Sequence, residues 1–354
     1  MKRTLPSLLV LPLLAAAGYA CSSSNSDGPD GPAATQDPND PGNPGGPGGP
    51  GGPGGPGGDE LSRNPIEGIA PAKAVLETGA FTDGPVWHEE LGLLFFTTPL
   101  GEGALYRMLP DGRVLRVREG VRELGTTPIA NTVAANGDLV TVEAKRIVRG
   151  HPGPDGGEPV VVATGYAGGV DSGAGQFDTL NDVVVRKDGL MYVTDPGYFA
   201  EPIANRIYRI TPDGQVQVVE AFEDVPRPNG IALSPDEKTL YVGFTQPMQG
   251  TLPFVRKYIV NEDGTLGEWT KFIDVEPEDS TPDGLAVDKA GNVYVAVKGG
   301  IEVFKSDGSK IGRVDIAEKP TGLAFGGKEM KTLYVTTEGV KLWELTVNVP
   351  GIAQ

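Results

Sequence analysis

Asp83, Asn131, Asn181, Asn229, Asp283 and Thr321 each carry an oxygen on a short side chain, and they recur at intervals of 38 to 54 residues. Each stands immediately before a short apolar segment, as in Gly84-Pro85-Val86-Trp87, Gly230-Ile231-Ala232-Leu233 or Gly284-Leu285-Ala286-Val287. If those segments lie side by side around one axis, two carboxylates and several amide carbonyls converge. Such a hard-oxygen set suits calcium, which takes six to eight oxygen ligands in loose geometry, whereas zinc asks for His or Cys. The chain has little to offer zinc, because Cys21, His88 and His151 are its only Cys and His. Disulfide frameworks, Cys/His zinc clusters and thiol catalysis in the body are therefore excluded, and a Ser-His-Asp arrangement would have to recruit one of the two His. His88 lies in a strand-like segment and reads as a packed or surface residue; His151, in a Gly/Pro loop, reads as solvated.

A plainer reading competes for each position. The chain has ten Asp-Gly dipeptides, and most must be hairpin turns; Asp111, Asp188, Asp213, Asp263 and Asp307, between polar-flanked segments, read that way. Asp83 and Asp283 instead lead into apolar segments, in register with Pro228-Asn229-Gly230. For Asn131 and Thr321 backbone capping is the stronger reading, with Asn131 also kept as a substrate contact. A second set of equivalent positions reads Thr98, Glu143, Asp195, Phe244, Val297 and Thr337. There Glu143 and Asp195 are candidates for a substrate-binding or proton-handling shell, and equally for rim salt bridges.

The elements that must position these residues repeat. Apolar pairs at Leu94-Phe95, Leu139-Val140, Met191-Tyr192, Leu240-Tyr241, Val293-Tyr294 and Leu333-Tyr334 are separated by 45, 52, 49, 53 and 40 residues. A fixed period of this size signals a repeat architecture. Upstream of each pair lies the apolar segment already described, and downstream of most comes a hairpin around Asp-Gly, such as Ile207-Tyr208-Arg209-Ile210-Thr211-Pro212-Asp213-Gly214. Each period thus supplies about four strands. The spacing predicts an all-β fold, a six-bladed β-propeller with four-stranded antiparallel blades around a central channel. The last unit is short of a strand, and Ala74-Val75-Leu76 near the start is available to complete it.

The chain is acidic, with 30 Lys and Arg against 47 Asp and Glu for a net charge of −17. That balance repels phosphate backbones and argues against nucleic acid as a partner. Residues 1–20 read as an export signal: Lys2 and Arg3 precede an apolar run from Leu5 to Ala17, too short to span a membrane. Cleavage before Cys21, followed by Ser22-Ser23-Ser24, resembles a bacterial lipoprotein, although Gly18 stands where Leu is usual. Soluble secretion after Gly18-Tyr19-Ala20 is the alternative. Residues 21–64, rich in Gly-Gly-Pro, read as a tether of about 35 to 40 Å reach, and residues 65–354 as the propeller. The expectation is an exported envelope protein, monomeric, that meets the membrane only through a lipid anchor on Cys21.

Four motifs in order carry a family resemblance: Asp83-Gly84-Pro85-Val86-Trp87; Leu180-Asn181-Asp182-Val183-Val184-Val185 with Tyr192-Val193-Thr194-Asp195-Pro196; Pro228-Asn229-Gly230-Ile231-Ala232-Leu233; and Pro282-Asp283-Gly284. Together, over roughly residues 65 to 347, the chain resembles the gluconolactonase, senescence-marker-protein and regucalcin family of six-bladed propellers. The resemblance implies a divalent cation, calcium, held by Asp83, Asn229 and Asp283, with Asn181 at the metal or the substrate and Asp283 as the base. It implies hydrolysis of a lactone or similar cyclic ester. This chain has Asp83 where the family usually has Glu, and Phe177-Asp178-Thr179-Leu180 lacks the Arg that some sugar-lactone members use. The segment from Pro282 to Val295 also resembles the NHL repeat of non-catalytic binding propellers, and a phosphotriesterase-like activity on a similar oxygen ring is a further alternative.

Overall fold

The computed structural model describes residues 60–153, 157–166, 175–198, 205–222, 226–245, 252–276 and 281–352. The expected leader, Cys21 and the expected tether up to residue 59 lie outside the described residues. The described residues just before 65 contact the body. Glu60 pairs with Lys331, and Asn348 Nδ2 donates to the Asn64 carbonyl at 2.9 Å, so the folded region begins a few residues before 65.

The chain opens with β1 (Lys73–Glu77). Blade 1 follows as β2 (Asp83–His88), β3 (Leu93–Thr97), β4 (Ala104–Met108) and β5 (Val114–Glu119). Blade 2 is β6 (Pro128–Val133), β7 (Leu139–Glu143), β8 (Arg146–Gly150) and β9 (Val160–Ala163), and blade 3 is β10 (Val183–Val185), β11 (Met191–Asp195), β12 (Asn205–Ile210) and β13 (Val216–Phe222). Blade 4 comprises β14 (Arg227–Leu233), β15 (Thr239–Thr245), β16 (Phe254–Val260) and β17 (Leu266–Asp274), and blade 5 comprises β18 (Leu285–Val287), β19 (Val293–Val297), β20 (Gly300–Phe304) and β21 (Lys310–Asp315). Blade 6 contributes β22 (Pro320–Gly326), β23 (Thr332–Thr337) and β24 (Lys341–Thr346), and β1 pairs antiparallel with β24 as its fourth strand. The expected closure by Ala74-Val75-Leu76 is therefore present, with Ala74 opposite Trp343 and Leu76 opposite Leu342.

All six sheets are four-stranded, and their inner strands are β2, β6, β10, β14, β18 and β22. Those inner strands touch in a complete circuit, β2 to β6 to β10 to β14 to β18 to β22 and back to β2. This is the six-bladed propeller the period predicts, with no α-helix among the described residues.

Each blade has two apolar faces, as a sheet sandwiched between neighbours must. Apolar side chains collect into six clusters, one per seam between blades. Phe95 and Leu105 meet Leu139 between blades 1 and 2, for example, while Leu94 and Phe96 meet Tyr334 and Leu342 across the closing seam. Adjacent residues 94 and 95 thus point to opposite seams, the period of two that a strand imposes. The apolar pair repeated in every unit is the sequence trace of this arrangement. Polarity grows outward: β5 runs Val-Leu-Arg-Val-Arg-Glu and is exposed or half-exposed throughout. The expected Asx turns also form, with the carboxylates of Asp111, Asp188, Asp263 and Asp307 accepting backbone N–H groups two residues on.

Candidate active site

The six ring positions sit where each chain segment enters its inner strand, and the backbone there is irregular. The β2–β3 ladder shifts register between Asp83 and Val86, β14–β15 between Pro228 and Ile231, and β22–β23 between Pro320 and Gly322. Bulges of this kind re-aim side chains. Here they occur where the side chain must turn from the seam toward the axis. Close approach of neighbouring backbones sets the next residue. A Cβ on Gly84, whose φ is +49°, would lie 2.4 Å from Ala130 Cα, and one on Gly230 would lie 2.0 Å from the Asp283 carbonyl oxygen. The recurrent Gly after the ring residue is thus a packing requirement of strands crowded at the hub.

Hydroxyl groups stitch adjacent blades at the same level. Thr97 Oγ1 donates to the Ile129 carbonyl at 2.5 Å, Thr194 Oγ1 to the Asn229 carbonyl at 2.8 Å, and Thr321 Oγ1 to the Thr82 carbonyl at 2.7 Å. The side chain of Thr321 is spent on this bond. So is that of Asn131, which donates Nδ2 to the Gly84 carbonyl and accepts the Thr141 hydroxyl on Oδ1, each at 2.8 Å. Asn131 borders the cavity, yet both ends of its amide are committed to holding β2 and β7. The capping reading of Asn131 and Thr321 describes these bonds; substrate contact through the Asn131 amide would require breaking two of them.

The other four positions differ. Asn181 and Asp283 make no side-chain hydrogen bond among the described residues; Asp83 accepts only the Gly84 N–H, at 2.9 Å on Oδ1. Asn229 gives Nδ2 to the Tyr198 hydroxyl at 3.2 Å, leaving Oδ1 uncommitted. All four line one cavity of ≈ 40 Å³ at the axis. That is room for an ion and a water or two, since one water needs roughly 10–15 Å³. Among the described residues no three His, Cys, Asp or Glu side chains group as a metal cluster. The set here is two carboxylates and two amides, the mixed hard-oxygen composition that suits calcium.

Electrostatics fits the same group. Burial first, and then the neighbouring Asp83, push Asp283 well above the usual carboxylate range; burial and the nearby Asp182 raise Asp83 to about 7. Both half-buried carboxylates line the same cavity, and like charges so placed cannot both ionise freely without a cation. A bound divalent cation would reverse that penalty.

Sequence reasoning missed two members of this neighbourhood. Asp182 borders the cavity, and burial raises it to about 6 even though its carboxylate accepts the Val183 N–H at 2.8 Å and the Ile231 N–H at 3.0 Å. It clamps blade 3 to blade 4 beside the ring. The signal available was its position next to Asn181, but the bond to a residue 49 positions away has no local trace. Tyr198 is the other. Its phenol is raised by burial and then by Asp283 and Asp83, which places the hydroxyl within the field of both ring carboxylates.

Glu143 and Asp195 do not join the cavity lining. Glu143 is fully buried between Arg118 and Arg146, one on each carboxylate oxygen. Asp195 accepts the N–H groups of Asp178 at 2.9 Å and Thr179 at 2.8 Å, with the Tyr208 hydroxyl at 3.2 Å. Their contacts are those of structural anchors, and Glu143 forms the salt bridges that its alternative reading expects; both end the second strand of their blades, one strand spacing of about 4.8 Å from the inner strand. His88 is likewise structural, buried, with Nε2 2.8 Å from the Gly137 carbonyl, while His151 is exposed.

With ring and blades in view, comparison with known proteins is informative. The sequence matches the family model described as SMP-30/Gluconolactonase/LRE-like region over residues 81–339. The chain belongs to this family. All six ring positions of this SMP-30/gluconolactonase-family protein fall inside the match. It is similar to a gluconolactonase of Zymomonas mobilis, 26% identical over 292 residues that cover 75% of this chain and 78% of the relative. It is also similar to the pentonolactonase XacC of Haloferax volcanii, 30% identical over 270 residues, 73% of this chain and 81% of the relative. Among solved structures, a gluconolactonase from Xanthomonas campestris superposes with a TM-score of 0.66 at 26% identity, covering 79% of this chain and 90% of that one.

Proposed function

We propose that this protein hydrolyses a lactone or similar cyclic ester at the axial cavity, with a divalent cation, calcium, held by Asp83, Asn229 and Asp283 and with Asn181 beside them. The observation that carries the reading is the division of labour in the ring. Asn131 and Thr321 spend their side chains on neighbouring strands, whereas these four keep oxygens open to the cavity. The relatives named as lactonases supply the substrate class. When bound, the cation would polarise the ester carbonyl and offset charge on the developing oxyanion.

The rest of the chemistry belongs to the chain. Asp283 serves as the base: its carboxylate lines the cavity and makes no side-chain hydrogen bond among the described residues, so it is available to take a proton from a water held there. Asn181 has both a donor and an acceptor uncommitted, so it can fix the ester group or an adjacent hydroxyl of the substrate. A cavity of ≈ 40 Å³ admits a reacting carbonyl and a water but not a whole sugar-sized ring, so the body of the substrate rests at the mouth. The direct test is acid release followed by pH-stat over a panel of five- and six-membered lactones, with and without chelator. Chelator-sensitive hydrolysis restored by calcium is expected; a folded, calcium-loaded protein that hydrolyses none of the panel would refute the assignment.

The proposal extends to location. Residues 1–20 direct export, Cys21 receives the lipid, and the Gly/Pro-rich tether carries the propeller clear of the membrane surface. Cys21→Ser is expected to move the protein from the membrane fraction to the soluble extracytoplasmic fraction. An unchanged membrane share would reject lipidation at this residue.

A further inference from the structure

Asn229 presents a problem that Asp83 and Asp283 do not. Either oxygen of a carboxylate serves a cation, but an amide has one useful end, and its NH2 group turned to the axis would repel a positive charge. The backbone does not decide between the two ends: the bond from Thr194 Oγ1 fixes the Asn229 carbonyl, and the side chain can still rotate about its last torsion.

Tyr198 supports the useful end. A phenol can accept from an amide or donate to it; here its hydroxyl accepts Asn229 Nδ2 at 3.2 Å, the orientation that leaves Oδ1 uncommitted at the cavity. The tyrosine is itself held. Arg227, two residues before Asn229, donates Nη1 to the carbonyls of Pro196 at 2.5 Å and Gly197 at 2.6 Å, and its guanidinium carbon stands 5.4 Å from the centre of the Tyr198 ring. A cation over an aromatic face is attractive, so one arginine ties down both the backbone leading to Tyr198 and the ring. Arg227 has no carboxylate partner among the described residues, which leaves its charge to this contact.

We infer that Tyr198 is a positioning residue, clipped in place by Arg227, that turns the Asn229 carbonyl oxygen toward the axial cavity and so sets the affinity of the site for a divalent cation. The inference rests on the cation reading above. Outer groups that orient a ligand typically change metal affinity by about 10- to 100-fold when removed.

The test measures calcium binding by calorimetry on the purified full chain, with no substrate present. Tyr198→Phe keeps the ring and its contact with Arg227 but removes the acceptor. It is expected to weaken calcium binding by about tenfold while leaving the melting temperature in chelator unchanged. The deciding measurement repeats the substitution in an Asn229→Asp background, where both ends of the side chain are oxygen and orientation no longer matters. There Tyr198→Phe is expected to cost markedly less than in the parent. Equal calcium affinity of parent and Tyr198→Phe overturns the inference and leaves the cation site standing, and so does the same loss in both backgrounds. No calcium binding by the parent overturns both.

Discussion

Asp283→Asn is expected to lower lactone turnover by about a thousandfold or more, because it removes the base and one of the two carboxylates that face the cation. Its effect on the cation-free protein has the opposite sign. Asp283 is raised by burial and then by Asp83, and Asp83 itself reaches about 7. A carboxyl whose folded pKa lies above its unfolded value adds stability that is complete below the unfolded pKa, near 4, and is lost as pH rises through the folded pKa. In chelator, the parent protein should therefore lose stability as pH rises from about 4, through about 7 where Asp83 titrates and on through the raised pKa of Asp283. Asp283→Asn cannot ionise at that position and relieves the repulsion on Asp83. In chelator the variant should melt several degrees above the parent at pH 8 and converge with it near pH 4, and calcium should raise the parent more than the variant. Retained turnover would remove Asp283 from the mechanism, and a pH-independent difference in melting temperature would remove the like-charge account of the ring.

The second large effect comes from an atom the protein lacks. Gly230→Ala would put a methyl 2.0 Å from the Asp283 carbonyl oxygen and 2.9 Å from Gly284 Cα, both backbone atoms of the next blade. No side chain there can swing aside, so the inner strands of blades 4 and 5 must separate. Overpacking in a well-filled interior costs typically 1–3 kcal/mol and sometimes more, and about 3 kcal/mol or more is expected at this crowded point. Gly112→Ala is the matched comparison. Gly112 has φ of +82° with nothing within 4 Å of its absent Cβ, so only the left-handed backbone penalty of about 1–2 kcal/mol applies. Chemical denaturation of both variants in chelator separates the two mechanisms. If Gly230→Ala proves no more destabilising than Gly112→Ala, the hub is looser than these distances imply.

The blades could be read from the chain because a propeller repeats its own local chemistry. The pair Leu94-Phe95 and its five counterparts mark second strands whose neighbouring residues serve opposite seams, and period-two burial leaves that trace in any sequence. The completion of blade 6 by Ala74-Val75-Leu76 was legible only through counting, since the last unit had too few strands. The site divides differently. Asp83, Asn181, Asn229 and Asp283 share one position in the repeat, so register alone brings them together. Glu143 and Asp195 also share a repeat position, but a strand farther out, where Arg118 and Arg146 in one case and a loop backbone in the other reach them first. Asp182 and Tyr198 act through bonds to Ile231 and Asn229 in the next blade, and nothing in their own segments announces a partner in another repeat.

The pairing of β1 with β24 joins Lys73 to Glu344 and Glu77 to Lys341. Those residues are among the first and the last of the folded body to leave the ribosome. Contacts so distant in sequence form late, because the loop they close must be ordered before they return anything. β1 therefore emerges first and waits for a partner until nearly the whole body has been made, while blades 1 to 5 can build from consecutive strands. If the chain crosses a membrane before folding, this order delivers the clasp ahead of the ring it fastens. A protein shortened by its last strand would keep every residue of the site and every inner strand, yet lose the pairing through which the two ends of the folded body hold each other.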